Sequence, residues 1–283
     1  MSLSPAGLYA TKLAACGYEF SIAPDLAEMP GPGPMPARAP VPAELCEMPV
    51  QVTLAEAPPI SDLDLGQFGA YRYDASRATV WIRRPALELA WQIEALRGPV
   101  LLHALAQRGV FVLHASAAMS PGGSLVAFTA HSGVGKSTLA RVATDLGWER
   151  VADDMLPITE RAGRIVALPH LPQPKLTEGQ QYPADAAPSV PLAALIQLQR
   201  GPQSRFQPLV SREAADLLLA STVATRVFAG RSLAAHLAFA GNLATGVTAG
   251  RLLVARAITA DRPWDIGGAV AETLGIVASR LTW

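Results

Sequence analysis

The residues best suited to chemistry lie in one short run near the middle of the chain. Residues 130–137 read A-H-S-G-V-G-K-S, a phosphate-binding loop of the form A-x-x-x-x-G-K-S. Glycines in such a loop let successive backbone N–H groups face one anion, the lysine reaches the β- and γ-phosphate oxygens, and the serine hydroxyl faces Mg²⁺. We therefore expect ATP and Mg²⁺ to be bound by His131, Ser132, Gly133, Val134, Gly135, Lys136, Ser137 and Thr138.

Two adjacent carboxylates, Asp153 and Asp154, follow the next apolar run along the chain. Parallel strands of an α/β sheet end at one edge, so this pair is expected close to the phosphates. One carboxylate can orient Mg²⁺ while the other accepts a proton from an incoming hydroxyl. The simpler interpretation is that the pair solvates a turn.

Three further side chains are weaker candidates. His114 follows the apolar run 110–113, whose strand is expected to neighbour the strand of the loop, so its ring could reach the γ-phosphate. Arg226 and His236 lie in two late helical patterns, where Arg226 could contact phosphate or substrate. A purely structural role is the alternative for all three.

The surrounding pattern supplies the elements that a phosphate loop requires. Residues 125–129 predict a buried strand, the helix that follows the loop ends at Gly147, and residues 148–152 predict a second strand. Further along, the pattern predicts a hairpin over 155–158 and 164–167, strands over 192–198 and 252–258, and helices over 213–228, 232–243 and 264–281. The fold class indicated is α/β.

The first 108 residues predict a small α+β lead-in before a domain over 109–283. They contain a strand over 50–54, a hairpin over 68–73 and 79–82, and a helical period over 85–107. Prolines are dense over 29–43, which predicts a loop or linker.

Composition narrows the function class. The chain has 283 residues with 23 basic and 23 acidic side chains, so its net charge is zero. This argues against a general nucleic-acid or membrane-surface binder. Cys16 and Cys46 have no metal-ligand spacing, and neither a signal peptide nor a membrane span is visible. We expect a cytoplasmic protein, and a homo-oligomer stays open.

Three stretches together resemble the catalytic half of the HPr kinase/phosphorylase family: 114–116 (HAS), 132–137 (SGVGKS) and 151–154 (VADD). The resemblance covers about residues 109–158 and implies a P-loop domain with a mixed sheet, allied to PEP carboxykinase. It implies Asp153 as the acid/base that faces the substrate hydroxyl, Asp154 at the metal, and His114 near the γ-phosphate.

Two departures from that family matter. Thr138 stands where the bacterial enzyme has glutamate, and the later glycine-containing signature linked to phosphorolysis is not visible. In its place, residues 167–176 are similar to a segment of the HPr-kinase-like enzymes of lasso-peptide clusters, which phosphorylate a precursor peptide on its C-terminal serine. In that interpretation Lys175 binds nucleotide or the peptide carboxylate; otherwise it is a surface lysine.

These observations predict an ATP-dependent kinase that phosphorylates a serine hydroxyl of a protein or peptide. A kinase of a small metabolite on the same fold and a non-catalytic ATP-binding regulatory module are the alternatives.

Overall fold

The structure is a computed structural model that describes most of the chain after residue 62. The described residues are 12–15, 18–22, 48–54, 63–74, 79–84, 87, 91, 94–171, 173, 176, 182–183, 186–202, 204–228, 230–254 and 263–279. The proline-rich segment 29–43 and Lys175 lie outside them. Two compact units are present: Met1–Gly109 with Ala224–Ser232, and Val110–Val223 with Leu233–Trp283.

The first unit contains a six-stranded mixed sheet in the order β1-β2-β3-β6-β5-β4. Strands β2, β3 and β6 run parallel, and the remaining pairs are antiparallel. The predicted hairpin is confirmed as β5 and β6. The strands are β1 (Lys12–Ala15), β2 (Tyr18–Ile22), β3 (Met48–Leu54), β4 (Leu63–Asp64), β5 (Ala70–Asp74) and β6 (Thr79–Arg84).

The predicted helical stretch over 85–107 is not one regular helix. The chain kinks at Gly98, whose φ and ψ are −102° and −107°, because the following Pro99 disfavours helical backbone before it and lacks an N–H donor. Regular helix resumes as α1 (Leu101–Ala106).

The second unit contains nine strands and four helices within the described residues. The strands are β7 (Phe111–Leu113), β8 (Ser116–Met119), β9 (Leu125–Thr129), β10 (Glu149–Asp153), β11 (Leu156–Arg161), β12 (Arg164–Ala167), β13 (Val190–Arg200), β14 (Arg205–Pro208) and β15 (Thr248–Val254). The helices are α2 (Lys136–Ala143), α3 (Ser211–Ser221), α4 (Arg231–Gly246) and α5 (Pro263–Ala278).

The strand order β10-β8-β9-β13 determines which strands end at the same edge of the sheet. Strand β8 is antiparallel to both β9 and β10, so β9 and β10 point the same way and end at one edge of the sheet. Strand β9 is parallel to β13, which is parallel to β15. The start of β13 also pairs with β12, and the sheet continues through β11 to β7.

One face of this sheet is covered by α2 and α5. Leu139 and Val142 of α2 pack with Leu274 of α5 onto Phe128 and Leu198 of the sheet. The apolar side chains of α2 recur at helical spacing and therefore fall on one face. All five residues of β9 are buried, as expected for an apolar strand covered on both sides.

Most predicted elements of this unit are confirmed, with changed bounds. The helix predicted over 213–228 ends at Ser221, and the strand predicted from 252 begins at Thr248. The expected pairing of the strand before His114 with β9 was wrong: β9 lies between β8 and β13, and His114 lies in the connection between β7 and β8.

Candidate functional site

The loop over residues 130–135 joins the end of β9 to the start of α2 and is built around two glycines. Gly133 has φ 80° and Gly135 has φ 117°, backbone conformations that favour glycine because side chains with a Cβ are strained there. Gly135 is the N-cap of α2 and provides no capping side chain, so the helix begins with N–H groups directed at the loop. Such a helix start favours an anion.

Lys136, His114 and Asp154 form a chain of polar contacts at the edge where β9 and β10 end. The Lys136 Nζ atom lies 2.7 Å from His114 Nε2, and His114 Nδ1 lies 3.4 Å from Asp154 Oδ1. Lys136 is only 8% exposed, whereas the side chains of His114 and Asp154 are 43% and 23% exposed. The lysine is therefore covered, and the other two groups remain accessible.

The contact with Lys136 assigns the histidine tautomer. A lysine ammonium only donates hydrogen bonds, so His114 Nε2 must accept and the ring proton of the neutral imidazole must reside on Nδ1. The Nδ1 atom lies 3.4 Å from Asp154 Oδ1. An amine, an imidazole ring and a carboxylate thus follow one another along the site.

Asp153 has a different environment from its neighbour. Its carboxylate is nearly completely buried; Oδ1 accepts a hydrogen bond of 2.7 Å from Ser116 Oγ, and Oδ2 is 2.5 Å from Arg150 Nη2. A register shift between Arg150 and Ala152 places Arg150 and Asp153 together, although residues three apart in a regular strand face opposite sides. Asp153 is thus held in a buried ion pair.

Asp154 follows β10 with an unusual backbone. Its φ is 92°, which is rare for a residue with a side chain and costs on the order of 1–3 kcal/mol. Such strained residues concentrate at functional sites. This conformation turns the chain directly after β10, so that the two adjacent carboxylates have separate partners.

Arg200 is a neighbour of the loop that the sequence analysis missed. It ends β13, which lies beside β9, and its Nη2 donates a 3.2 Å hydrogen bond to the Gly133 carbonyl oxygen. It is exposed. The available signal was an arginine two residues after the strand predicted over 192–198.

The other predicted residues do not all lie at the loop. His131 and Ser132 are exposed on the loop, whereas Val134, Ser137 and Thr138 are half-buried. Arg226 is exposed on the turn Thr225–Val227 and belongs to the first unit rather than to the unit that holds the loop. Lys175 lies outside the described residues.

His236 has the environment of a core residue. It is 2% exposed, its ring centroid lies 4.7 Å from that of Phe111, and its Nε2 lies 2.9 Å from Thr222 Oγ1. Burial lowers the pKa of His236 below its usual value. The Thr222 hydroxyl also donates to the Leu218 carbonyl, so His236 Nε2 acts as the donor to Thr222.

The donor chemistry of the site fits Mg²⁺. No group of three or more His, Cys, Asp or Glu side chains within the described residues could hold a metal. Ser137 and Asp154 offer a hydroxyl and a carboxylate oxygen, and Mg²⁺ in phosphoryl-transfer sites typically takes one or two such ligands together with phosphate and water oxygens.

None of the described helices has the length and apolar character needed to cross a membrane.

Comparison with known proteins finds similarity to solved structures alone. No family model matches the chain, and no curated protein matches it. The HPr(Ser) kinase/phosphatase from Coxiella burnetii is a similar solved structure, with a TM-score of 0.30 and 14% sequence identity. The match covers 59% of this chain and 98% of that one. A TM-score this low does not establish a shared fold.

Proposed function

We propose that this protein is an ATP-dependent kinase that transfers the γ-phosphoryl group of ATP to a serine hydroxyl of a protein or peptide. One observation carries the proposal: Lys136, His114 and Asp154 lie in successive contact. They lie beside a loop whose glycines have positive φ and which leads into the start of α2. An anion cradle adjoining an accessible carboxylate is the arrangement that phosphoryl transfer to a hydroxyl requires.

In the proposed reaction, the loop N–H groups and Lys136 bind the phosphates of ATP. The acceptor oxygen forms a bond to the γ-phosphorus as the bond to the β,γ-bridging oxygen breaks, which leaves ADP. The hydroxyl proton moves to a carboxylate of the enzyme. No covalent enzyme intermediate is needed.

We propose that Asp154 is the proton acceptor. The sequence alone favoured Asp153 for this role. Both carboxylate oxygens of Asp153 already bind Ser116 and Arg150, so protonating it would break a buried ion pair. The side chain of Asp154 is 23% exposed, and its Oδ1 lies 3.4 Å from His114 Nδ1. We propose that Asp153 instead anchors the end of β10.

Ser137 would hold Mg²⁺ when ATP is bound, and metal ligation is the alternative to the base role for Asp154, because a carboxylate bound to Mg²⁺ is a weak proton acceptor. A bound Mg²⁺ would neutralise part of the negative charge that builds up on the leaving ADP. Kinetics distinguish the two roles of Asp154. Loss of a metal ligand raises the Mg²⁺ concentration needed for half-maximal activity. Loss of a base lowers kcat at saturating Mg²⁺.

The acceptor is the least constrained part of the proposal. The similarity of residues 167–176 to lasso-peptide cluster enzymes supports a peptide whose C-terminal residue is serine. Lys175 in that segment would contact nucleotide or the peptide carboxylate, and Arg226 remains a candidate substrate contact.

The test is phosphoryl transfer from ATP with Mg²⁺ to a panel of acceptors, followed by mass spectrometry. The panel contains peptides ending in serine, the same peptides amidated or ending in alanine, proteins, free serine and sugars. We expect phosphorylation of a serine-containing peptide or protein. Transfer only to small molecules would identify a metabolite kinase, and tight ATP binding without transfer to any acceptor would identify a regulatory module.

The site itself is tested by Lys136→Ala, which should abolish ATP binding in calorimetry because it removes the buried cation of the cradle. Arg141→Ala is the matched control: it removes an exposed cation from the last turn of the same helix and should leave binding unchanged. Full ATP affinity in the Lys136 variant would refute the site.

A further inference from the structure

Gln173 is a buried polar side chain close to the two aspartates, and its amide makes four hydrogen bonds to the backbone. It is 1% exposed. Its Oε1 accepts hydrogen bonds from the backbone nitrogens of Asp153, at 3.1 Å, and Met155, at 3.4 Å. Its Nε2 donates to the carbonyl oxygens of Met155, at 2.7 Å, and Leu171, at 2.9 Å.

This pattern specifies glutamine at position 173. A side-chain amide has one carbonyl oxygen that accepts two hydrogen bonds and one NH₂ group that donates two. Here two N–H groups meet the oxygen and two carbonyls meet the nitrogen, so a flipped amide would oppose like groups at all four contacts. Glutamate would lose both donors, and methionine would lose all four bonds.

The bonded backbone lies on both sides of Asp154. Asp153 precedes it and Met155 follows it, so three of the four bonds flank the residue whose φ is 92°. A backbone in a sparsely populated conformation persists only where its surroundings determine it more strongly than the local strain opposes it. Gln173 supplies that determination because it binds backbone groups of the residue before and the residue after the strained one.

We propose that Gln173 is a positioning residue that holds Asp154 in its strained conformation and thereby directs the Asp154 carboxylate to His114. The effect on phosphoryl transfer rests on the proposed function; the effect on the backbone does not. Gln173 does not touch the reacting groups. It acts through backbone groups of the two residues that flank Asp154, as a support for a precisely placed group.

The first experiment is hydrogen–deuterium exchange of the full chain carrying Gln173→Met, a substitution of similar volume. The amides of Asp153 and Met155 lose their acceptor, so we expect their exchange to accelerate by about tenfold or more relative to the amides of β9. Gln207→Met is the matched control on half-buried β14 and should leave both amides unchanged. Unchanged exchange in the Gln173 variant would overturn the proposal.

The second experiment measures kinetics with the acceptor found above. We expect kcat of Gln173→Met to fall by about 100-fold while KM for ATP is unchanged, because misplacing a reacting group affects the transition state more than nucleotide binding. Unchanged kcat in a folded variant, or a raised KM for ATP alone, would contradict the positioning role.

If Gln173→Met does not fold, Gln173→Asn replaces it, since that variant keeps a side-chain amide but is one methylene shorter and cannot keep all four hydrogen bonds. We then expect smaller changes of the same sign in exchange and kcat, and wild-type values would overturn the proposal. If the wild-type protein transfers no phosphoryl group, the proposed function fails, and the exchange experiment still decides the role of Gln173.

Discussion

At the residue scale, the two adjacent aspartates show how strongly environment separates identical groups. Asp153 faces Ser116 and Arg150 and is buried, whereas Asp154 faces His114 and remains partly accessible. The first arrangement suits an anchor, because an ion pair without water is costly to disrupt. The second suits proton transfer, because the carboxylate can reach a substrate.

Asparagine substitutions distinguish these roles. Asp154→Asn should leave the melting temperature and ATP affinity close to wild type but lower kcat by about 10²–10⁴-fold, the usual contribution of a general base. Asp153→Asn should destabilise the fold by about 3 kcal/mol, since Arg150 loses its buried counter-charge. Thermal unfolding and transfer kinetics measure both. A stable Asp153→Asn with complete loss of transfer would return the base to Asp153.

Arg200 provides a second residue-scale prediction. Its hydrogen bond to the Gly133 carbonyl stabilises the loop conformation, so Arg200→Ala should raise KM for ATP by about fivefold, the value of one charge-assisted bond at the surface, with kcat unchanged. Arg205→Ala is the control, because Arg205 is an exposed arginine on β14, the next strand along the chain. An equal rise in KM in both variants would indicate a general charge effect.

At the scale of elements, the loop glycine can be compared with a hairpin glycine of equal strain. Gly133 and Gly163 have φ 80° and 73°, and an added Cβ would meet no atom within 4 Å at either position. Alanine at each should therefore destabilise the fold by about 1 kcal/mol, from backbone strain alone. We expect only Gly133→Ala to weaken ATP binding. Calorimetry and denaturant unfolding measure the two quantities.

The strand, helix and strand around the loop could be predicted because their signals are local. An apolar run, a glycine-rich turn and a helical period lie within residues 125–153, and Gly147, with φ 80°, ends the short turn after α2 as its position indicates. Pairing is not local, so the insertion of β8 beside β9 and the displacement of His114 from a strand could not be read from residues 110–129.

The roles of the site residues were less predictable for a related reason. The register shift at Val151 and the positive φ of Asp154 decide where the two carboxylates point, and neither has a signature in the residue types. Gln173 could not be assigned because its four partners are backbone groups, of which three lie nearly twenty residues away.

At the scale of the whole molecule, buried His236 links stability to pH. Burial lowers its pKa in the folded state, so below the ordinary value of 6.5 the unfolded chain binds a proton that the folded chain does not. The stability that this neutral ring contributes is present above pH 6.5 and is lost as pH falls towards the folded-state pKa.

His236→Gln should therefore flatten the acid side of the stability profile. Glutamine can still donate to Thr222 but does not titrate, so we expect the difference in unfolding free energy between wild type and variant to shrink as pH falls from 7 to 5, by at most about 1.4 kcal/mol per pH unit. Denaturant titrations at several pH values measure it. A constant difference would show that His236 does not contribute.

The position of β8 also determines the width of the reaction site. Adjacent strands lie about 4.8 Å apart, so two strands separated by a third lie about 10 Å apart. The anion loop continues from β9 and the carboxylate follows β10, with β8 in the middle. With one strand inserted as a spacer, the proposed site has room for a transferring phosphoryl group beside the oxygen that would receive it.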